Sequence, residues 1–232
     1  AVALALRGRK VGLLDADIYG PSIPLMVGAE DEQPFVHAEQ MVPIERYGVA
    51  TMSIGYLVDR HTPVIWRGPM VGKAIDQMIS DVDWSDIEVL IFDLPPGTGD
   101  IHISLTQKIA LTGAVIVTTP QDVALIDAGK GVAMFQKVEV PILGLVENMS
   151  HFVCPHCSER TNIFGHGGAA KESKRLSVPL LGEIPLDPEV VQGGDDGTPI
   201  VRRNPRSAAG AAFLALADLL LERLEAGERA PR

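Results

Sequence analysis

Val89-Leu-Ile-Phe-Asp93-Leu-Pro-Pro-Gly-Thr-Gly-Asp100 is the stretch whose reading decides the fold. Four apolar residues in a row predict a strand buried on both faces, as in a parallel sheet covered by helices. The carboxylate of Asp93 follows where that strand must leave the sheet, and Pro95, Pro96, Gly97 and Gly99 forbid its continuation. The result is an acid at the carboxyl end of a parallel strand. After it comes a loop whose glycines, Gly97 first, let backbone N–H groups approach an anion closely. From such a position an aspartate holds Mg²⁺, usually through water, beside a phosphate. The alternative reading is an Asp capping a loop, which is common after strands.

Outward from this stretch the chain alternates between strands and helices. On the amino-terminal side, residues 2–6 read as the end of a helix stopped by Gly8, and Val11-Gly-Leu-Leu14 as a second short buried strand. Asp15-Ala-Asp17 follows, before the breakers Gly20, Pro21 and Pro24. If the segment stays extended, Asp15 and Asp17 point the same way. One would then partner Mg²⁺ while the other orients or deprotonates an attacking water. Carboxylates capping a turn remain the alternative. Residues 28–48 are irregular and polar and are expected to hold a hairpin or insertion. A strand is predicted over 49–54 and a helix over 70–80.

On the carboxyl-terminal side, helices are predicted over 101–111 and 123–138, and strands over 114–118, 142–146 and 180–184. A last helix over 208–224 follows a Ser207 cap, and the tail 225–232 reads as frayed. This rhythm predicts an α/β fold, with a doubly wound, mainly parallel sheet, in a single domain over residues 1–232. Ligands then meet the carboxyl ends of the strands, where Asp15, Asp17, Asp93 and Asn148 fall.

With 232 residues, 46% of them hydrophobic, the chain is long enough for one full core. No run approaches the length of a membrane span, and the first residues are too short for a signal peptide, so a cytoplasmic protein is the expectation. A net charge of −10 argues against a broad nucleic-acid surface. The two cysteines matter through their spacing, Cys154-Pro-His-Cys157. A closed zinc site or a cubane cluster generally takes four ligands. The other two could come from His151, His156 or His166, or from the same loop of a second subunit about a two-fold axis. A dithiol redox centre is the rival, although such a motif should open a helix and residues 158–168 hold Asn162, Gly165, Gly167 and Gly168. Gly165-His-Gly-Gly168 lacks the spacing of a phosphate loop, and Ala128-Gly-Lys130-Gly reads as helical.

Several of these segments carry a resemblance. They are Leu14-Asp-Ala-Asp-Ile-Tyr-Gly-Pro-Ser22, Ile65-Trp-Arg-Gly-Pro-Met70, the Asp93 to Asp100 loop, Thr118-Thr-Pro-Gln-Asp-Val-Ala-Leu125, Glu147-Asn-Met-Ser150 with the Cys pair, and Gly182-Glu-Ile-Pro-Leu-Asp187. In this order they resemble the Mrp/NBP35 group of P-loop ATPases, iron–sulfur cluster carriers within the deviant Walker-A class that includes MinD, ParA and nitrogenase iron protein. The resemblance implies ATP and Mg²⁺ as ligands, Asp17 as the switch I acid that positions the hydrolytic water, and Asp93 as the switch II acid near Mg²⁺. It implies that Asn148 meets the adenine edge and that the backbone of Pro185 to Asp187 closes the base pocket. It further implies that Cys154 and Cys157 bind a [4Fe-4S] cluster bridging a homodimer, for delivery to apo iron–sulfur proteins. Neither nucleic acid nor membrane is an implied partner. A MinD- or ParA-like positioning ATPase and a scaffold stapled by Zn²⁺ are the competing functions. The group's phosphate loop, Lys-Gly-Gly-x-Gly-Lys-Ser/Thr, is expected ahead of the helix over 2–6, and the sequence as given holds neither that loop nor its strand.

Overall fold

The computed structural model describes residues 1–58, 68–97, 100–225 and 227. Ile65, Trp66 and Arg67 of the resemblance, Thr98 and Gly99 of the glycine loop, and most of the tail therefore lie outside the described residues. In chain order the elements begin with α1 (Val2–Leu6), β1 (Val11–Asp15), α2 (Ile23–Met26), β2 (Val36–His37), β3 (Gln40–Met41), β4 (Ile44–Arg46) and β5 (Val49–Ser53). They continue with α3 (Gly68–Ser80), β6 (Val89–Asp93), α4 (Asp100–Lys108), β7 (Ala114–Thr118), α5 (Asp122–Lys137) and β8 (Ile142–Glu147). Then come β9 (Phe152–Val153), β10 (Arg160–Thr161), α6 (Gly168–Leu176), β11 (Leu180–Glu183), α7 (Pro188–Asp195), α8 (Ile200–Arg203) and α9 (Ala208–Glu225). Each apolar run expected to be a strand is one, and the irregular stretch 28–48 contains the hairpin β2–β3.

The chain divides into two compact units, residues 1–96 with 191–203, and residues 97–190 with 204–232. The first holds a four-stranded sheet of order β4-β5-β1-β6. β1 runs parallel to both neighbours, and β4 closes one edge antiparallel to β5. Val11, Leu14, Val49 and Met52 are fully buried there, so the sheet's two middle strands carry the core. At Gly12 an added Cβ would lie 2.7 Å from Leu90 Cδ1 and 3.0 Å from the Trp84 ring, so the missing side chain is what lets β6 and Trp84 close over β1. The expectation of a β6 strand buried on both faces needs correction. Val89 to Phe92 are half-buried, because within its sheet β6 pairs on one side only, with β1.

The second unit holds an all-parallel sheet of order β11-β8-β7, whose middle strand is buried along its whole length. Val146, Leu181 and Ile184 form a core cluster against which Phe213, Leu216 and Leu220 of α9 pack. The helix begins as its sequence predicts, with the Ser207 hydroxyl accepting from Gly210 N–H at 3.0 Å. Such a cap stabilises a helix by about 1 kcal/mol. Residues 128–131 lie inside α5. Among the described residues no helix is long and apolar enough to cross a membrane.

Candidate functional site

In the first unit the carboxyl edge of the sheet carries three acids. The register places Asp15 between Ser53 and Asp93 at the strand ends. Asp15 is 1% exposed, and its oxygens are fully engaged. Oδ2 accepts from Ser53 Oγ at 2.9 Å and from Ile23 N–H at 3.3 Å, and Oδ1 accepts from Asp17 N–H at 3.1 Å. The extended continuation that would aim Asp15 and Asp17 alike therefore stops at Asp15. The chain turns at once, and the carboxylate that seemed half of a pair is the peg on which the turn hangs.

Asp17 is half-buried, and its Oδ1 accepts from the N–H groups of Tyr19 and Gly20, both at 3.2 Å. Asp93, at the tip of β6, is exposed, and among the described residues its carboxylate takes no hydrogen bond. Desolvation among the strand ends pushes the Asp93 carboxyl above its ordinary value, and the charge of Asp17 adds to the rise. Asp15 is also raised, chiefly by burial; its three hydrogen bonds pull it back and the charge of Asp93 pushes it further up. A cation here would relieve both. The acids do not form a ready-made cage, since no group of three His, Cys, Asp or Glu among the described residues is placed to hold a metal ion. A hard cation held by one exposed carboxylate, waters and a phosphate fits this donor set better than a closed protein site.

In the second unit the corresponding edge is built around Glu147, the last residue of β8, opposite Thr118 and Glu183. Glu147 is 1% exposed; Oε1 accepts from Ser150 Oγ at 2.7 Å and Oε2 from Ala169 N–H at 2.7 Å, in the first turn of α6. Sequence reading missed this role. The available signal was an acid closing an otherwise apolar strand. Asn148 follows, with its N–H on Thr118 O at 2.7 Å and its Oδ1 accepting from Met149 N–H at 2.9 Å. With that oxygen engaged, the amide nitrogen is what Asn148 can offer an acceptor such as a ring nitrogen. Met149 takes a left-handed conformation, φ 52°, which a non-glycine residue adopts only where its surroundings impose it. Past β11, Pro185 to Asp187 lead into α7, where the Asp187 carboxylate accepts from Glu189 N–H at 2.9 Å. The side chain of Asp187 is thus a helix cap, and its carbonyl accepts from Val190 N–H at 3.0 Å.

Cys154 and Cys157 sit in the turn of the β9–β10 hairpin, closed by Cys154 N–H to Glu159 O at 3.0 Å and Ser158 N–H to Cys154 O at 2.9 Å. The motif opens no helix, as its following residues predict. Both thiols are free, Cys154 half-buried and Cys157 exposed. The Cys154 thiol is held below its ordinary pKa, first by the backbone N–H of Cys157 and then by that of His156 and by the Cys157 side chain. Amides aimed at sulfur favour the thiolate, the form that binds metal. His156 and His166 are exposed, and neither they nor His151 complete a group of three ligands with the pair among the described residues.

A model of the family described as ParA, NUBPL iron-transfer P-loop NTPase, matches residues 1–221. The chain belongs to that family. It is 52% identical over 225 residues to an iron-sulfur cluster carrier protein of Salmonella typhimurium, covering 97% of this chain and 61% of the relative. It is 50% identical over 226 residues to an Arabidopsis thaliana iron-sulfur protein required for NADH dehydrogenase, mitochondrial, covering 97% and 72%. The chain thus spans about two thirds of the length of these relatives. Among solved structures it resembles a nucleotide-binding protein of Archaeoglobus fulgidus in complex with ADP, at 37% identity and a TM-score of 0.74, over 85% of this chain and 77% of that one. The cell division ATPase MinD of Pyrococcus furiosus, 24% identical with a TM-score of 0.68 over 95% and 89%, shares the fold. The α/β P-loop NTPase fold is therefore established, and with it membership of an iron–sulfur cluster carrier family.

Proposed function

We propose that this chain acts in an ATP-dependent carrier that binds a [4Fe-4S] cluster between two copies of itself and passes it to apo iron–sulfur proteins. The observation that carries the reading is the Cys154/Cys157 turn, whose two free thiols gather no third ligand among the described residues. Two such turns about a two-fold axis supply the four thiolates a cubane takes. The cluster is then cargo.

On this reading Asp93 is the residue that would hold Mg²⁺, and the ion would supply charge neutralisation at the transferred phosphoryl group. Asp17 orients the attacking water, and Asp15 keeps Asp17 in place through its N–H. Gly97, with φ 99°, is the glycine whose backbone N–H would approach a phosphate. Asn148 meets the base edge, and the backbone of Pro185 to Asp187 closes over it. ATP and its product favour different geometries, and the bridging cluster is held more tightly in one of them, so hydrolysis is linked to release.

A positioning ATPase of the MinD type would leave the Cys pair without a task. The zinc-stapled scaffold keeps the pair and is separated by one experiment, anaerobic reconstitution with iron and sulfide followed by metal analysis and mass in solution. About four iron and four sulfide per two chains, lost in Cys154→Ser, is the expected result. Zinc near one per two chains without iron uptake would overturn the carrier reading and leave the fold standing.

A further inference from the structure

Residues 147–160 form one hydrogen-bonded train that begins at Asn148 and ends in the cysteine turn. Ser150 N–H donates to Ile184 O at 3.0 Å, Ile184 N–H to Glu147 O at 2.8 Å, and Leu186 N–H to His151 O at 2.7 Å. Phe152 bridges to Leu186, so β9 leaves directly from the segment that follows β11. Arg160, opposite Val153 on β10, reaches Glu183 Oε2 at 3.2 Å. The hairpin carrying Cys154 and Cys157 is therefore fastened to both halves of the base-recognition edge, the turn of Asn148 and the segment 184–187.

The train is pinned by a single buried carboxylate. Glu147 joins Ser150, itself 2% exposed, to the first turn of α6, twenty-two residues further on. The bond from Ser150 spans Met149, whose backbone is left-handed at φ 52°, and Asn148 lies in the same turn. Gly168, at the start of α6, lies against Pro120, where an added Cβ would be 2.6 Å from Pro120 O. A carboxylate that only capped α6 would not need the serine, and a serine that only closed a turn would not need a buried acid.

We propose that Glu147, acting through Ser150, is the positioning residue that couples base binding to the cysteine turn, so that occupancy of either alters affinity at the other. This rests on the functional reading above, in which Asn148 meets the base and the Cys pair meets metal. The coupling is reciprocal by linkage, and couplings of this kind change affinity by about fivefold or more.

The test uses the whole protein, with Co²⁺ on the cysteines, read by its thiolate charge-transfer absorption, and ADP as the nucleotide. Saturating ADP should shift the apparent Co²⁺ affinity at least about fivefold, and saturating Co²⁺ should shift ADP affinity by the same factor. In Ser150→Ala, which removes one hydroxyl and leaves α6 capped, the factor should fall below about twofold while both ligands still bind. Glu147→Gln can still accept from Ala169 N–H and donate to Ser150 Oγ, so it should retain the factor, which a role in stability alone does not require. A factor of one in the unaltered protein with both ligands bound would overturn the coupling and leave standing nucleotide binding and metal binding by the Cys pair. An undiminished factor in Ser150→Ala would also overturn it. Failure of ADP or Co²⁺ to bind the unaltered protein would overturn the functional reading, and the coupling with it.

Discussion

Asp15 and Glu147 occupy equivalent places in the two units, and what surrounds them differs. Each ends a strand that has neighbours on both sides, each is 1% exposed, and each accepts from a serine hydroxyl and from the backbone, Asp15 from two N–H groups and Glu147 from one. Both act as pegs. Asp15 and Asp93 have carboxyls raised first by burial and then by a neighbouring acid, Asp93 for Asp15 and Asp17 for Asp93, whereas Glu147 is followed by an amide and a pair of thiols. On the proposed reading, the same device organises an edge for a hard cation beside phosphate and an edge for a base and a soft metal. Asp93 and Cys157, exposed at the two edges, are among the groups expected to touch ligands.

That division predicts a double dissociation, the largest effect expected here. Asp93→Asn in the whole protein should lower ATP turnover by about a hundredfold, within the range for loss of a positioned acid, and leave iron loading unchanged. Cys157→Ser should abolish stable iron and sulfide binding and leave basal turnover within about twofold. Turnover assays and iron analysis on both variants check this, and equal losses of both activities in either one would erase the distinction between the edges.

The pegs themselves should fail alike when truncated and differently when neutralised. Asp15→Ala and Glu147→Ala each strand buried donors, at a cost of about 3 kcal/mol in urea unfolding. Glu147→Gln should cost less than about 1 kcal/mol, because each of its oxygens serves one donor and Ser150 can reverse its hydroxyl. Asp15→Asn should cost about 2 kcal/mol, since Oδ2 serves Ser53 and Ile23 together and Oδ1 faces an N–H, so either amide orientation opposes a backbone donor. Equal costs for the two amide variants would show that the hydrogen-bond arithmetic is not what separates the two edges.

The legibility of the molecule from its sequence follows the same line. The runs of apolar residues declared β1, β5, β6, β7, β8 and β11 because burial of strands is written locally. The hairpin β9–β10 and α6 were not legible. Residues 158–168 are polar and glycine-bearing, and what orders them is remote: the bridge from Phe152 to Leu186 and the carboxylate of Glu147. The site was half legible. Acids at strand ends and the Cys spacing could be read, but which carboxylate faces ligand and which is consumed internally depends on Ser53, Ile23, Ser150 and Ala169, partners that no local pattern announces.

A smaller effect should appear in the pH dependence. Asp15 and Asp93 have folded pKa values above the ordinary aspartate value of 3.8, so the folded state holds more protons than the unfolded one just above that pH. Their contribution to stability is fully present below 3.8 and is lost as pH rises through the folded values. Asp93→Asn removes one raised carboxyl and eases the other. Urea midpoints between about pH 4 and 7 should therefore fall less steeply in the variant than in the unaltered protein, by a few tenths of a kcal/mol after screening at an exposed group. Parallel curves would mean that the Asp93 carboxyl is not raised in the folded state.

At the other edge the smallest effect is also the most local. The Arg160–Glu183 pair is partly exposed on both sides, so Arg160→Ala should change stability by less than about 0.5 kcal/mol. Its charge should nonetheless be visible at His151, whose pKa is lowered first by burial and then by Arg160, while Glu183 and Glu147 pull it upward. Removing the guanidinium deletes one lowering cause and frees Glu183, so the His151 pKa should rise towards 6.5 in an NMR titration. The sign then fixes a stability effect. A histidine whose folded pKa lies below its unfolded value costs stability as pH falls through 6.5, so the variant's deficit should narrow between about pH 7 and 5. An unmoved His151 would place the Arg160 charge away from the hairpin root, leaving the backbone bonds of residues 150, 151 and 184 to fasten the cysteine turn.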